Sequence, residues 1–367
     1  MSKKHSTIIC AIYCAIVFTL SCLLFFIPKS DFSPRENRML AKMPRLSVES
    51  VVDGRFTDKF SAFCTDRFPF RTRMLTLNSS FELGLGKLET KSVMKGANGN
   101  LIKRLEYNSF EKLEENISAI ENICEHAKEN GGKAIFFCAP RAVDVLGDYC
   151  PPLFDSAKSG EVWEHVTNAQ TLTEKLRTKA AAGEYVFYKT DHHWTTLGAY
   201  YAYCQLGKSL GFSPYPLSDF TPETVSEDFY GTTYSASLLP TVTPDKITAY
   251  RYEGDEKIKV TDMSTGKSSS LYDLTALDGS SKYDFFLGGN KAHLRIESGN
   301  PRLVLIKDSF ANSVIPFLAR HFDIDVIDPR YLREPLENTL ANLYSTEENP
   351  NVLILFGVDT LTEDVGL

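Results

Sequence analysis

The chain has 367 residues, 43% of them hydrophobic and 24% charged, and its formal net charge at pH 7 is −7. This length and composition indicate an ordinary globular protein with a sizeable core, in one large domain or two smaller ones. The negative charge and the lack of a basic stripe argue against a nucleic-acid-binding protein, and the sequence contains no internal repeat or low-complexity tract.

The first predicted element is an apolar helix at the N-terminus. Residues 7–27 carry no charge and follow Lys3, Lys4 and His5; their number is about the 20 residues that a membrane-spanning helix needs. Basic residues before the span predict that the amino end lies inside and the rest of the chain outside. A cleaved signal peptide is the alternative, but bulky residues occupy the place of its cleavage site. We therefore predict an uncleaved anchor at residues 1–29 and a linker at 30–47.

The remaining residues, 48–367, have the pattern of an α/β domain. A helical periodicity at 113–127 precedes a buried strand at 133–139. Later in the chain, the pattern predicts strands at 303–306, 324–328 and 352–356 and a helix at 336–344. Strands that alternate with helices predict a mostly parallel sheet with helices on both faces.

A short polar segment follows the apolar run at residues 185–188, which predicts another buried strand. The helix after this segment would be capped by Thr195 or Thr196. In open α/β sheets, functional sites form where strands end in this way.

The polar segment contains Asp191, His192 and His193. In an extended chain alternate side chains share a side, so Asp191 and His193 would face together and His192 would face away. A carboxylate beside an imidazole fixes its tautomer and stabilises its protonated form, as a general base requires. The alternative is a helix start with an acid and two surface histidines.

Ser309 is the candidate nucleophile. It follows the predicted strand at 303–306 and precedes a predicted helix at 311–319, kinked or restarted at Pro316. A serine at such a junction can expose its hydroxyl beside free N–H groups, which would stabilise an oxyanion. The alternative is that Asp308 or Ser309 only caps the helix.

Several motifs in one order carry a resemblance to a known family. The segment TDHHWT at 190–195 resembles the signature of the bacterial DHHW family, and its Asp-x-His-Trp core resembles alginate O-acetylation proteins of the AlgJ and AlgX type. Further motifs that resemble the family are SPRENRML (33–40), DRFPFR (66–71), YGTTYS (230–235), YDFFLGGN (283–290) and KDSFANSVIPFLARHF (307–322). The resemblance implies an SGNH-hydrolase-like α/β/α sandwich in which Ser309, His193 and Asp191 form the catalytic triad.

Other site residues are less specific. Residues 214–300 interrupt the α/β rhythm and predict a partly β insertion that shapes a substrate groove. Within it, the resemblance implies that Gly289 and Asn290 hold the oxyanion, while a plain Gly-Gly-Asn turn is the alternative. Arg141, at a strand end, would reach the site or remain a solvated loop charge. Lys307 stands where the usual motif has glycine, so the backbone before Ser309 departs from that pattern.

The resemblance implies an enzyme that forms an acyl-serine and transfers an acetyl group to a cell-surface or exported polysaccharide, without a cofactor. It also implies a bacterial single-pass membrane protein whose catalytic domain is extracytoplasmic and works beside a membrane-bound O-acyltransferase. The residues leave open a carbohydrate esterase with the same triad and a non-catalytic glycan-binding surface protein. A metallohydrolase using Asp191, His192 and His193 has less support, because the other histidines form no ligand-spaced cluster.

Overall fold

The structure is a computed structural model that describes residues 3–26, 30–104, 107–152, 154, 160–240, 242–346 and 351–367. The fold is mixed α/β. The chain forms two compact units, residues 1–91 with 235–241 and residues 92–234 with 242–367. The division into an anchor, a linker and a domain from residue 48 stays a prediction.

The described α-helices are α1 (Lys3–Phe26), α2 (Val48–Val52), α3 (Arg55–Asp66), α4 (Arg71–Gly84), α5 (Glu111–Glu129), α6 (Ala142–Val145), α7 (Thr173–Ala181), α8 (Thr196–Leu210), α9 (Thr232–Ser237), α10 (Ile315–Leu318) and α11 (Leu336–Thr346). The described strands are β1 (Phe32–Ser33), β2 (Arg38–Met39), β3 (Glu89–Thr90), β4 (Val93–Lys95), β5 (Leu101–Lys103), β6 (Ala134–Ala139), β7 (Thr221–Phe229), β8 (Asp245–Arg251), β9 (Lys259–Asp262), β10 (Ser268–Ser269), β11 (His293–Glu297), β12 (Arg302–Lys307), β13 (Asp323–Ile327) and β14 (Asn351–Gly357).

Helix α1 has the length and composition of a membrane span. Its segment His5–Phe26 has a mean hydropathy of 2.6, and none of it is buried against the rest of the chain. The predicted apolar helix at the N-terminus is therefore present, although Ile27, the last residue of the predicted span, lies outside the described residues.

The larger unit is built on a seven-stranded sheet in the order β10-β9-β11-β13-β12-β14-β6. Strands β13, β12, β14 and β6 are parallel, whereas β10, β9, β11 and β13 pair antiparallel. The sheet that was predicted to be mostly parallel is thus parallel in one half and antiparallel in the other. The other half comes from residues 214–300: the burial of β11 alternates along the strand, as is typical of antiparallel strands with one wet face. The predicted insertion therefore extends the main sheet and also forms the β7–β8 hairpin.

Both faces of the parallel half are covered by helices. Leu303 and Leu305 of β12 pack into one apolar cluster with α8, while Val304 and Ile306 pack into another with α5 and α11. This alternation follows from the two-residue period of a strand and explains why β12 reads as a continuous apolar run.

Two predicted elements differ from the structure. Residues 185–188 form no strand of the sheet; Phe187 makes a single antiparallel bridge to Trp194, because the chain between them turns back on itself. The predicted helix at 311–319 is divided into a 3-10 helix, Ser309–Ser313, and α10, with Pro316 in the first turn of α10. Proline is tolerated there because the first N–H groups of a helix have no intrahelical acceptor.

Candidate active site

Ser309 lies two residues after Lys307, the carboxyl end of β12, at the start of the 3-10 helix Ser309–Ser313. Asp308 fixes this turn: its Oδ1 accepts from Phe310 N at 2.9 Å, and its Oδ2 accepts from Gly357 N at 2.7 Å. Gly357 is the last residue of the neighbouring strand β14. Asp308 therefore caps the helix, as the simpler interpretation of the sequence expected, and also ties the turn that carries Ser309 to the sheet.

The segment before His193 is held from a distant strand. Asp245, the first residue of β8, is buried, and its carboxylate accepts from Lys189 N at 2.9 Å, Thr190 N at 2.7 Å and Thr190 Oγ1 at 2.5 Å. Because these bonds fix the backbone just before Asp191, Asp245 is a positioning residue. Its position, 55 residues downstream of Thr190, gave no signal in the sequence.

The structure brings Asp191, His193 and Ser309 into one hydrogen-bonded chain. His193 Nδ1 donates to Asp191 Oδ1 at 2.5 Å, and Ser309 Oγ lies 2.8 Å from His193 Nε2. Asp191 is 2% and His193 4% exposed, whereas Ser309 is half-buried. With its Nδ1 proton held by the carboxylate, the imidazole presents Nε2 as an acceptor for the serine proton.

The carboxylate of Asp191 is kept ionised by its surroundings. Burial by itself would raise its pKa, but electrostatic interaction with the imidazoles of His192 and His193, together with hydrogen bonds from His193 and Thr232, holds the pKa below its ordinary value. Thr232 supplies a bond from its N at 2.8 Å and one from its Oγ1 at 3.1 Å, both to Asp191 Oδ2. The orienting acid is therefore charged at neutral pH.

Gly231, in the YGTTYS motif, leaves room for this carboxylate. A Cβ added at Gly231 would lie well inside the van der Waals radii of Asp191 Cβ, Cγ and Oδ2. Only glycine allows the backbone to approach so closely that Thr232 can bond to the acid. Sequence reasoning named the motif but not this role.

Gly231→Ala is expected to displace Asp191 and to lower both thermal stability and the reactivity of Ser309, because the clash involves a buried carboxylate with fixed partners. Differential scanning fluorimetry and a serine-labelling rate would measure the two effects. Gly147→Ala is the matched control, since a Cβ there meets nothing within 4 Å. Equal behaviour of the two variants would contradict this role of Gly231.

The extended conformation assumed for residues 191–193 is wrong. The chain bends, so that His193 N donates to Asp191 Oδ1 at 3.0 Å, and this bend pairs acid with imidazole. His192 does not face away: its ring centroid is 3.8 Å from that of His193, and its Nδ1 lies 2.7 Å from Thr232 Oγ1.

Asp191, His192 and His193 each offer a potential metal-ligand atom, and these atoms lie within 4.8 Å of one another. However, Asp191 Oδ1 and His193 Nδ1 already bond to each other, and His193 Nε2 lies against Ser309 Oγ. A metal ion would have to break these bonds, so the arrangement fits a proton-transfer chain better than a ligand set.

Two aromatic residues fix the imidazole against the Ser309 turn. Trp194 is fully buried, and its Nε1 donates to Phe310 O at 3.0 Å. Tyr283 stacks on His193 with centroids 4.1 Å apart, and its hydroxyl donates to Ser313 Oγ at 3.1 Å. Burial raises the pKa of Tyr283, so this hydroxyl stays a neutral donor. The tryptophan of the TDHHWT motif is therefore a packing and orienting residue.

Asn290 has one amide orientation that satisfies its neighbours. Its Oδ1 accepts from Lys307 Nζ at 2.8 Å and from Asn312 Nδ2 at 3.1 Å, so its NH2 group faces away from both. Asn290 thus lies beside the segment that carries Ser309, with a donor directed elsewhere. The oxyanion role of the Asn290 amide stays a prediction.

Gly289, the other residue predicted to hold the oxyanion, has its N–H group in a hydrogen bond within a turn. Its N–H donates to Phe286 O at 3.1 Å, and its φ of +81° is the left-handed conformation that favours glycine. The N–H is therefore already used within a turn, and the plain-turn interpretation fits Gly289 better than the oxyanion role.

Lys307 does not disturb the backbone before Ser309. It pairs in register with Leu355 as the last residue of β12, and its side chain is 1% exposed. Its Nζ donates to Asn290 Oδ1 and Asn312 Oδ1, both at 2.8 Å, and lies 3.4 Å from Asp328 Oδ2. Burial lowers the pKa of Lys307 to about 8, although the charge of Asp328 opposes this shift. The lysine side chain thus organises the two asparagines.

The pKa of Lys307 is about 8 in the folded protein and has the ordinary lysine value of 10.5 in the unfolded chain. Between these two pH values, we expect the free energy of unfolding of the parent protein to rise with pH relative to that of Lys307→Met. In this window the unfolded chain binds a proton that folded Lys307 does not bind, and stability rises with pH wherever the unfolded state holds more protons. Denaturant midpoints of both proteins at several pH values would measure the difference. A constant difference across the window would show that Lys307 titrates normally.

Arg141 is not brought to the triad by any contact among the described residues. It is buried and donates to both carboxylate oxygens of Asp144, at 2.6 and 2.9 Å, and to Tyr107 Oη at 3.0 Å. A buried guanidinium needs such a partner, and Asp144 lies one helical turn away. Arg141 is therefore not a solvated loop charge, and its reach to the site stays a prediction.

Comparison with known proteins gives the following matches. The DHHW protein family model matches residues 168–327. A DHHW family protein from Eubacterium siraeum is 22% identical over 75% of this chain and 94% of that chain, with a TM-score of 0.56. Bacillus cereus PatB1 with a sulfonyl adduct is 18% identical over 76% of this chain and 98% of that chain, with a TM-score of 0.59.

The O-acetyltransferase domain of Pseudomonas putida AlgJ is 16% identical over 75% of this chain and 94% of that chain, with a TM-score of 0.47. No curated protein matches this chain at a significant level. The Eubacterium siraeum and Bacillus cereus structures share the fold, and the family model covers the segment that contains the Asp-x-His-Trp core and Ser309. The resemblance to the DHHW family that the motifs predicted is therefore confirmed.

Proposed function

We propose that this chain is a serine-dependent O-acyltransferase with an SGNH-hydrolase-like α/β/α sandwich. The observation that carries the proposal is the chain of hydrogen bonds from Asp191 through His193 to Ser309, with lengths of 2.5 and 2.8 Å. Nucleophile, base and orienting acid stand in the order and at the distances that activate a serine hydroxyl.

In the proposed reaction, Ser309 Oγ attacks the carbonyl carbon of an acyl ester while His193 Nε2 takes the hydroxyl proton. The negative charge that develops on the carbonyl oxygen is stabilised by the NH2 group of Asn290 and by Ser309 N–H, which as the first residue of a helix lacks an intrahelical acceptor. His193 then gives its proton to the leaving alkoxide, and the acyl group remains on Ser309.

The fate of the acyl-serine decides the activity. His193 can deprotonate a sugar hydroxyl, which gives O-acylation, or water, which gives ester hydrolysis. The DHHW resemblance and the likeness of the Asp-x-His-Trp core to alginate O-acetylation proteins support acetyl transfer to a cell-surface or exported polysaccharide. We propose that α1 anchors the chain in the bacterial membrane, with the triad outside, where a membrane-bound O-acyltransferase would supply the acyl group.

The experiment that tests this function supplies the full-length protein with an activated acetyl ester and soluble glycan oligomers, and follows both products by mass spectrometry. We expect acetylated glycan, absent with Ser309→Ala and unchanged with Ser264→Ala, an exposed serine in a turn. Acetate without acetylated glycan would identify an esterase. Glycan binding without either product would support the non-catalytic alternative.

A further inference from the structure

The chain that leaves α1 is clamped to the corner between α3 and α4. Arg67 donates to Ser30 O at 3.1 Å, to Asp31 Oδ1 at 2.7 Å and to Ala41 O at 3.2 Å. Ser30 comes four residues after Phe26, the last residue of α1. Four residues span at most about 14 Å, so this corner lies close to the end of the apolar helix.

A second set of bonds makes the clamp rigid. Asp66 accepts from both terminal nitrogens of Arg38, at 2.6 and 2.9 Å, and from Ala41 N at 2.8 Å. Arg71 pairs with Glu36. The hydrogen bonds from Arg38 are the largest cause that lowers the pKa of Asp66, to about 2. Glu36 and Arg38 belong to the SPRENRML motif, and Asp66 and Arg71 to the DRFPFR motif; the acyl-transfer site uses neither motif.

The clamped corner presents aromatic side chains to solvent. Phe68 and Phe70 are 37% and 57% exposed, whereas Pro69 between them is buried. Phe70 has a φ of +59°, a left-handed conformation that is unusual for a bulky residue. Such strain persists only where the surrounding structure imposes it, and it marks functional segments.

The exposed apolar surface continues along α4. Met74, Leu77 and Phe81 recur at helical spacing and are 46%, 67% and 65% exposed. Soluble proteins rarely leave such a face open, and a continuous patch of this kind marks an interaction site.

The charge of the same region favours an anionic surface. Residues 30–91 contain eleven Lys and Arg against eight Asp and Glu, although the whole chain has a net charge of −7. Lys42, Arg45 and Arg73 are exposed. Apolar side chains with nearby basic residues are typical of segments that lie in the interface of an anionic membrane.

We propose that the α3–α4 corner and the apolar face of α4 rest on the lipid surface, with Phe68 and Phe70 in the interfacial layer. The inference rests on the proposed membrane span of α1, and it is independent of the acyl-transfer chemistry. This contact would hold the smaller unit against the bilayer, rather than leave it on a loose tether.

The test uses single tryptophan substitutions in the full-length protein, reconstituted in vesicles of phosphatidylcholine and phosphatidylglycerol with brominated acyl chains. The emission of the parent protein, which comes from Trp163 and Trp194, is subtracted from that of each variant. We expect the remaining emission to be quenched in Phe70→Trp and Leu77→Trp. Thr57→Trp, at an exposed polar position of α3, is the matched control and should keep its emission. Phe18→Trp, within α1, should be strongly quenched.

Quenching of Phe18→Trp without quenching of Phe70→Trp and Leu77→Trp would overturn the surface contact. A blue-shifted but unquenched emission at these two positions would overturn it in favour of a protein that covers the face, either a second copy or another partner. Unquenched Phe18→Trp would overturn the membrane span and the surface contact together, while the acyl-transfer assay would be unaffected.

Discussion

Replacement of His193 by alanine is expected to lower acyl transfer by roughly 10³- to 10⁶-fold, the range found when the base of a serine triad is removed. The reason is that His193 Nε2 lies 2.8 Å from Ser309 Oγ and is the acceptor for its proton. Initial rates with a chromogenic acetyl ester measure the loss, and circular dichroism shows whether the variant is folded.

His192→Ala is the matched control, because His192 has the same chemistry and a neighbouring position. Its side chain is 40% exposed and contacts Thr232 Oγ1, without a bond to Ser309 among the described contacts. We expect a much smaller loss, from the weakened support of Thr232. Equal losses in the two variants would favour joint action of both histidines, as in a metal site.

Asn290→Ala is expected to lower kcat by about 10²- to 10³-fold, the effect of losing one oxyanion donor. Asn290→Asp separates this role from a structural one. Aspartate keeps an acceptor for Lys307 Nζ and Asn312 Nδ2 but has no NH2 group. If the donor matters, Asn290→Asp should be as slow as Asn290→Ala, with normal stability. Recovery of the rate with Asn290→Asp would contradict the oxyanion role.

The parts of the fold that could be predicted are those set by local pattern. Strands β6, β12 and β14 contain short apolar runs because both their faces are buried, so these three parallel strands could be predicted from the sequence. Thr195 was one of two predicted caps, and its Oγ1 accepts from Gly198 N at 3.3 Å. The strand predicted at 185–188 is wrong because an apolar, buried run such as 186–188 does not show in the sequence which segment it pairs with.

The candidate site shows the same limit. The motifs named Ser309, His193 and Asp191, and the structure places these three side chains within hydrogen-bond distance of one another. The residues that hold them come from far away in the chain, such as Asp245 and Thr232, and their spacing follows no period. The ion pair of Arg141 with Asp144 was likewise not predicted, because a charge at a strand end does not show in the sequence whether it is buried.

The most direct measurement is the covalent labelling of Ser309 by a serine-reactive phosphonate, mapped by peptide mass spectrometry on the full-length protein. We expect one label on Ser309, formed at a rate that falls steeply in His193→Ala and much less in His192→Ala. A protein that stays unlabelled, or that labels Ser309 equally fast without His193, would contradict the triad and with it the proposed function.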